Sequence, residues 1–77
     1  METYYCKRYR RVSPGASTGT ATDEMKFTAK DAAEAENSVK RGLRSHIAHM
    51  DWGKDFATLE DASGHVVAIW LDGASFA

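Results

Sequence analysis

The chain has 77 residues, 43% of them hydrophobic and 27% charged, with a net charge of -1 and a mean hydropathy of -0.48. This length allows one domain, spanning 1–77, close to the lower bound for a self-sufficient core, and the composition excludes wholesale disorder. No apolar run approaches the roughly 18 residues of a membrane span, and charges stand where a signal peptide needs an apolar stretch, so the expected location is cytoplasmic.

The small net charge conceals blocks of alternating sign. Lys7, Arg8, Arg10 and Arg11 outnumber Glu2 in the first block, while Asp23, Glu24, Asp31, Glu34 and Glu36 outnumber Lys26 and Lys30 in the second. Lys40, Arg41 and Arg44 form a third, basic block; Asp51, Asp55, Glu60, Asp61 and Asp72 against Lys54 make the last one acidic. A phosphate backbone would meet repulsion as well as attraction on such a chain, which suits specific protein recognition better than general polyanion binding. Cys6 is the only cysteine, so no disulfide can form within the chain and stability must come from packing or self-association.

Thr3 to Val12 is rich in tyrosine and free of glycine and proline, which reads as a strand. With period two, Tyr5, Lys7, Tyr9 and Arg11 share one side, and Tyr4, Cys6, Arg8, Arg10 and Val12 the other. Tyr4 and Cys6 suit a core, with Tyr5 and Tyr9 as the alternative buried pair. Residues 13–23 turn to Ser, Pro, Gly, Ala and Thr and read as a flexible loop, with Pro14-Gly15 turning the chain. A short second strand, Glu24 to Phe27, would then pair with the first.

Residues 29–50 carry the helix. Ala32, Ala35, Val39, Leu43, Ile47 and Met50 recur at steps of three or four, and the acids lie early and the bases late, matching the helix dipole. Thr28 is the expected N-cap, with Asp31 in the first turn and Phe27 as a staple at the entry. Gly42 costs about 1 kcal/mol relative to alanine unless a kink or a close helix–sheet approach uses it.

After Asp51-Trp52-Gly53 the chain reads as a hairpin: Lys54 to Glu60, a turn at Asp61-Ala62-Ser63-Gly64, and His65 to Leu71. A three-residue loop with Gly64 left-handed pairs Asp61 with His65. Leu59 then opposes Val67, and Ala57 opposes Ile69, on a face that Leu71 completes against the helix stripe. Phe56 opposes Trp70 on the other face, beside Thr58, Ala68 and Val66, with Glu60 at the border. A four-residue loop would move the register by one and change these pairs.

The fold class is therefore α+β: a four-stranded antiparallel sheet with one helix on one face, in the order β-β-α-β-β. One helix covers one face only. The other would carry an apolar patch around Phe56 and Trp70 that a partner or a second copy of the chain must cover.

Catalytic and metal-binding chemistry finds little support. His46 and His49 are three apart and only Cys6 or Asp51 could join them with His65, which falls short of a zinc-site pattern, so neither a metal nor a cofactor is expected. His65 beside Asp61 or Glu60 could act as a base, and Ser63-Gly64-His65 is distantly similar to the histidine motif of HicA-type toxin ribonucleases. The residue order differs, and the basic surroundings of that family are missing. Tyr4 to Arg11 interleaves aromatic and basic side chains as an RNA-binding surface would, but the pI of about 6.3 weighs against a dedicated nucleic-acid module. An edge strand protected by charge reads the same residues more simply.

Size, element order and the lack of a catalytic motif make residues 22–72 resemble the small inhibitors of phages and mobile elements, particularly type I anti-CRISPR proteins. The resemblance implies a non-enzymatic protein acting in the host cytoplasm by occupying a surface of a host type I CRISPR surveillance complex. Under that expectation Phe56 and Trp70 are apolar anchors and Glu60, Asp61 and Asp72 meet basic partner surfaces. Lys7, Arg8, Arg10 and Arg11 are the alternative contact, and a small RNA-binding protein or HicA-like ribonuclease is the alternative function.

Overall fold

Alternating and helical periodicities sort the chain into β1 (Glu2–Arg11), β2 (Gly19–Ala29), α1 (Ala32–Ile47), β3 (Asp55–Asp61) and β4 (Val66–Trp70). The computed structural model describes residues 1–47 and 50–72, with backbone alone for 42–47. The strands form one antiparallel sheet in the order β2-β1-β3-β4, and α1 joins β2 to β3 across one face. This is the expected α+β architecture.

The core lies between helix and sheet. Leu59 is fully buried and Val39 nearly so, with Tyr4, Cys6, Ala57 and Trp70 around them and Ala29 and Ala35 closing the contact. Ala29 and Ala35 are fully buried, and residues this small leave the larger side chains to fill the space around them. Phe27, Met50, Trp52, Val67 and Ala68 pack against this cluster from its edges. Tyr4 and Cys6 are thus the core pair of β1, and Tyr5 and Tyr9 face the opposite side. Leu43, His46 and Ile47 have side chains outside the described residues, as does any contact made at Gly42, and His49 lies outside them altogether.

The main departures from the sequence expectation are the start of the second strand, the bounds of the helix, which is assigned over Ala32–Ile47 with Met50 outside it, and the register of the hairpin. The second strand begins at Gly19 rather than Glu24, so the loop expected over 13–23 shrinks to residues 12–18. Within it Ala16 N–H donates to Ser13 O at 3.0 Å and Gly15 has φ 79°, a type II turn built on Pro14-Gly15. Thr20 and Thr22 suit a strand once β1 is alongside, and Gly19 is obligatory there because an added Cβ would lie 1.9 Å from the Arg10 carbonyl oxygen. The helix starts at Ala32, and Asp31 is its N-cap: Asp31 Oδ1 accepts from Glu34 N–H at 2.9 Å. Thr28 instead remains in β2 opposite Thr3, held there because Ala29 is buried opposite Glu2.

The hairpin register is the third and largest difference. Asp61 N–H donates to His65 O at 3.0 Å, Asp61 Oδ1 accepts from Ser63 and His65 N–H, and Gly64 has φ 87°, as the three-residue loop requires. Glu60 opposes Val66, but Leu59 opposes Ala68, because a bulge at Val67 inserts one residue. Val67 and Ala68 both pack on the core, and every later residue changes face. Trp70 therefore opposes Ala57 on the helix side and is buried, while Ile69 opposes Thr58 on the other side. The expected pairs Leu59–Val67, Ala57–Ile69 and Phe56–Trp70 do not form. Leu71 lies beyond the strand and is exposed rather than completing the core.

Burial and capping make measurable demands. Leu59→Ala should cost about 3 kcal/mol of unfolding free energy in urea titration. Asp31→Ala should cost about 1 kcal/mol through the lost cap, whereas Thr28→Ala should leave helix stability unchanged.

Candidate functional site

The face of the sheet without a helix presents Tyr5, Lys7, Tyr9 and Arg11 from β1, flanked by Phe56, Thr58 and Glu60 of β3 on one side and Glu24 and Lys26 of β2 on the other. Val66 and Ile69 extend it onto β4. β1 and β3 are the two inner strands, so side chains there are hemmed in from both sides. Phe56, Thr58 and Glu60 are consequently buried at 3%, 5% and 8% exposure, with no helix above them among the described residues.

Each of these three has a defined neighbour. Tyr9 stacks on Phe56 with ring centroids 5.0 Å apart and planes within 6°, and the Arg11 guanidinium lies 5.4 Å from the Phe56 centroid. Arg11 also donates to the carbonyls of Ala16, Trp52 and Leu71, tying together three chain segments. Glu60 accepts from Lys7 Nζ at 3.2 Å, from Tyr9 Oη at 3.0 Å and from Thr58 Oγ1 at 3.1 Å. Burial alone would raise the Glu60 carboxyl, but hydrogen bonds from Tyr9, Lys7 and Thr58 outweigh it and hold the group below its ordinary value. The Lys7 ammonium is raised by its hydrogen bond to Glu60, against an opposing effect of burial, and the Tyr9 phenol is raised by burial and by Glu60.

The residues singled out from sequence therefore part company. Phe56 and Trp70 are each 3% exposed and lie on opposite faces, so they make no exposed patch. Glu60 is engaged within the sheet, Asp61 is committed to turn amides, and Asp72 is exposed beyond β4. Backbone hydrogen bonds from His65 and Ser63 hold the Asp61 carboxyl below its ordinary value. The basic stretch divides by strand period: Lys7 and Arg11 share the open face, whereas Arg10 pairs with Asp55 at 2.8 Å and Arg8 opposes Asp23 and Ala57. What the sequence reading missed is the contact of Lys7 and Tyr9 with Glu60, whose signal is the opposite charge of Lys7 and Glu60 on two strands not adjacent in the chain.

The residues considered for catalysis do not converge. His65 is largely exposed with its Nδ1 3.5 Å from Asp61 Oδ2, while Glu60 is turned to Lys7. Cys6 is buried, and that burial, with the nearby Asp23 charge, pushes its thiol up to about 12, so it remains protonated at neutral pH. Among the described residues no three His, Cys, Asp or Glu side chains come together as metal ligands, and no helix is long and apolar enough to cross a membrane. A depression of about 330 Å³ lies between the start of β1 and the β3–β4 turn. Three of the polar side chains that line it are engaged with their neighbours, Tyr4 Oη donating to Glu2 at 2.9 Å and Asp61 holding the turn.

Comparison of the chain with protein-family models, curated proteins and solved structures finds no match.

Because the folded-state pKa of Glu60 is depressed, its contribution is present above the ordinary carboxylate range and is lost as pH falls through the folded value. Lys7, with a raised value, contributes below its ordinary range and loses that contribution as pH rises through the folded value. Unfolding midpoints measured against pH should therefore show a shallower acid limb for Glu60→Gln than for the parent chain. Cys6 should react with a thiol reagent only after denaturant is added.

Proposed function

We propose that this chain is a non-enzymatic protein-binding domain whose contact surface is the helix-free face of the sheet. The observation that carries this reading is the exposure of Val66 and Ile69, 57% and 46%, on the same face as the Tyr9, Lys7 and Glu60 network. Two aliphatic side chains on one short strand give a partner an apolar anchor, and the half-buried Tyr5 and Tyr9 supply broad, stiff contact area with hydroxyl groups. Stacking on Phe56 and bonding to Glu60 hold Tyr9 in place before a partner arrives, which lowers the entropy lost on binding. Phe56 and Glu60 thus support the surface from within, whereas Trp70 belongs to the core on the other face.

The partner this surface fits is a protein with a complementary apolar patch. Lys7 is paired with Glu60 and Lys26 stands near Glu24, so the face has little excess positive charge to attract a phosphate chain. The inhibitor role implied by the resemblance to small mobile-element proteins is the specific form of this proposal: the face would occupy a surface of a host complex, such as a type I CRISPR surveillance complex, and block it sterically.

Purified type I surveillance complex, immobilised and titrated with the chain, tests this form directly. Saturable binding that Ile69→Asp weakens at least roughly ten-fold, and that the helix variant Ala33→Asp leaves unchanged, is the expected result. No binding would remove the inhibitor reading. Equal binding by the Ile69→Asp variant would remove the helix-free face, and a salt-sensitive complex with RNA or DNA alone would replace the protein partner by nucleic acid.

A further inference from the structure

We propose that β2 is a self-association strand, pairing antiparallel with β2 of a second copy about Met25 and joining two four-stranded sheets into one. This goes beyond the partner-binding face, since it uses the outer edge of the sheet.

β2 is an outer strand of 11 residues, more than twice the length of β4 at the other edge, and its residues from Thr20 to Lys26 are all exposed. It contains no proline, so its outward N–H and C=O groups form an open template for another strand. A bulge at Thr22, where the register passes from Arg8–Asp23 to Tyr9–Ala21, interrupts regular geometry on one side. The regular stretch beyond it begins at Asp23.

Two identical antiparallel strands meet about a two-fold axis, and side chains that oppose each other share a face. Centring that axis on Asp23, Glu24 or Lys26 places a charged residue opposite itself. Centring it on Met25 places Glu24 opposite Lys26 twice, on the helix-free face, with Met25 opposite Met25 on the helix side. Of the registers centred between Asp23 and Lys26, only the one at Met25 sets no charged residue against itself, and it pairs opposite charges twice.

The helix side supplies the apolar part of the contact. Met25 is 38% exposed and, with Phe27, Ser38 and Val39, lines a groove of about 170 Å³ along the seam between β2 and α1. In the Met25-centred pair the two methionines meet at the axis, and each extends toward the groove of the other copy. A flexible thioether suits that kind of irregular gap.

Light scattering across a concentration series, with charge-reversal variants, tests the register. The parent chain should form a dimer. Glu24→Lys alone and Lys26→Glu alone each place like charges opposite one another twice, and each should raise the dimer dissociation constant at least roughly ten-fold. An equimolar mixture of the two variants restores opposite charges at both positions and should recover the dimer. A parent chain that stays monomeric throughout overturns the proposal, as does a single variant that dimerises like the parent. A mixture of folded variants that stays monomeric also overturns it. Circular dichroism reports whether each variant is folded, and if one is not, Met25→Lys takes its place: placing like charges on the axis, it must abolish the dimer for the proposal to stand.

Discussion

Pairing between β1 and β3 is the constraint on which the rest of the molecule depends. These strands are separated by some forty residues of chain, yet they form the two inner strands, and their register decides what stands on each side. Cys6 opposite Leu59 starts the core on one face; Lys7 opposite Thr58 and Tyr9 opposite Phe56 start the polar and aromatic cluster on the other. A slip of one residue would carry Leu59 to the open face and Glu60 into the helix interface. An unpaired carboxylate there would be costly, so the charge of Glu60 helps to hold the register that the apolar residues favour.

The same pairing explains how a sheet face without a helix can contain buried groups. Phe56 is covered by Tyr9 and Arg11, and Glu60 by Lys7, Tyr9 and Thr58, so neighbouring side chains do what a second layer would otherwise do. What remains exposed is shifted to β4, as Val66 and Ile69, and to the edge, as β2. A domain with so little core keeps its apolar surplus at the margins of the sheet, where partner binding and self-association would take place.

Local signals in the sequence were sound where one interaction dominates. The alternation in Thr3 to Val12 separated Tyr4 and Cys6 from Tyr5 and Tyr9, Pro14-Gly15 marked a turn, and the three-residue loop at Gly64 has the geometry its residues suggest. Errors arose where two local preferences competed. Thr28 and Asp31 are both good caps, and burial of Ala29 opposite Glu2 kept Thr28 in the strand. Thr20 and Thr22 stand among loop-forming residues, and only the approach of β1 draws them into β2, Thr20 opposite Arg10 and Thr22 as the bulge residue whose hydroxyl donates to the Arg8 carbonyl.

The sequence by itself determined the order of elements, the helix stripe through Ala35 and Val39, and the presence of one helix, which among the described residues lies on one face of the sheet. Only the tertiary structure decided which residues occupy that face. Val66 to Leu71 is entirely apolar, with no polar residue to set its phase, so local pattern could not choose between Trp70 inside and Ile69 outside or the reverse. The bulge at Val67 made the choice by placing Val67, Ala68 and Trp70 against the helix side, where the large indole buries more apolar surface than isoleucine would. That gain exists only once β3 and the helix side of the sheet are in place.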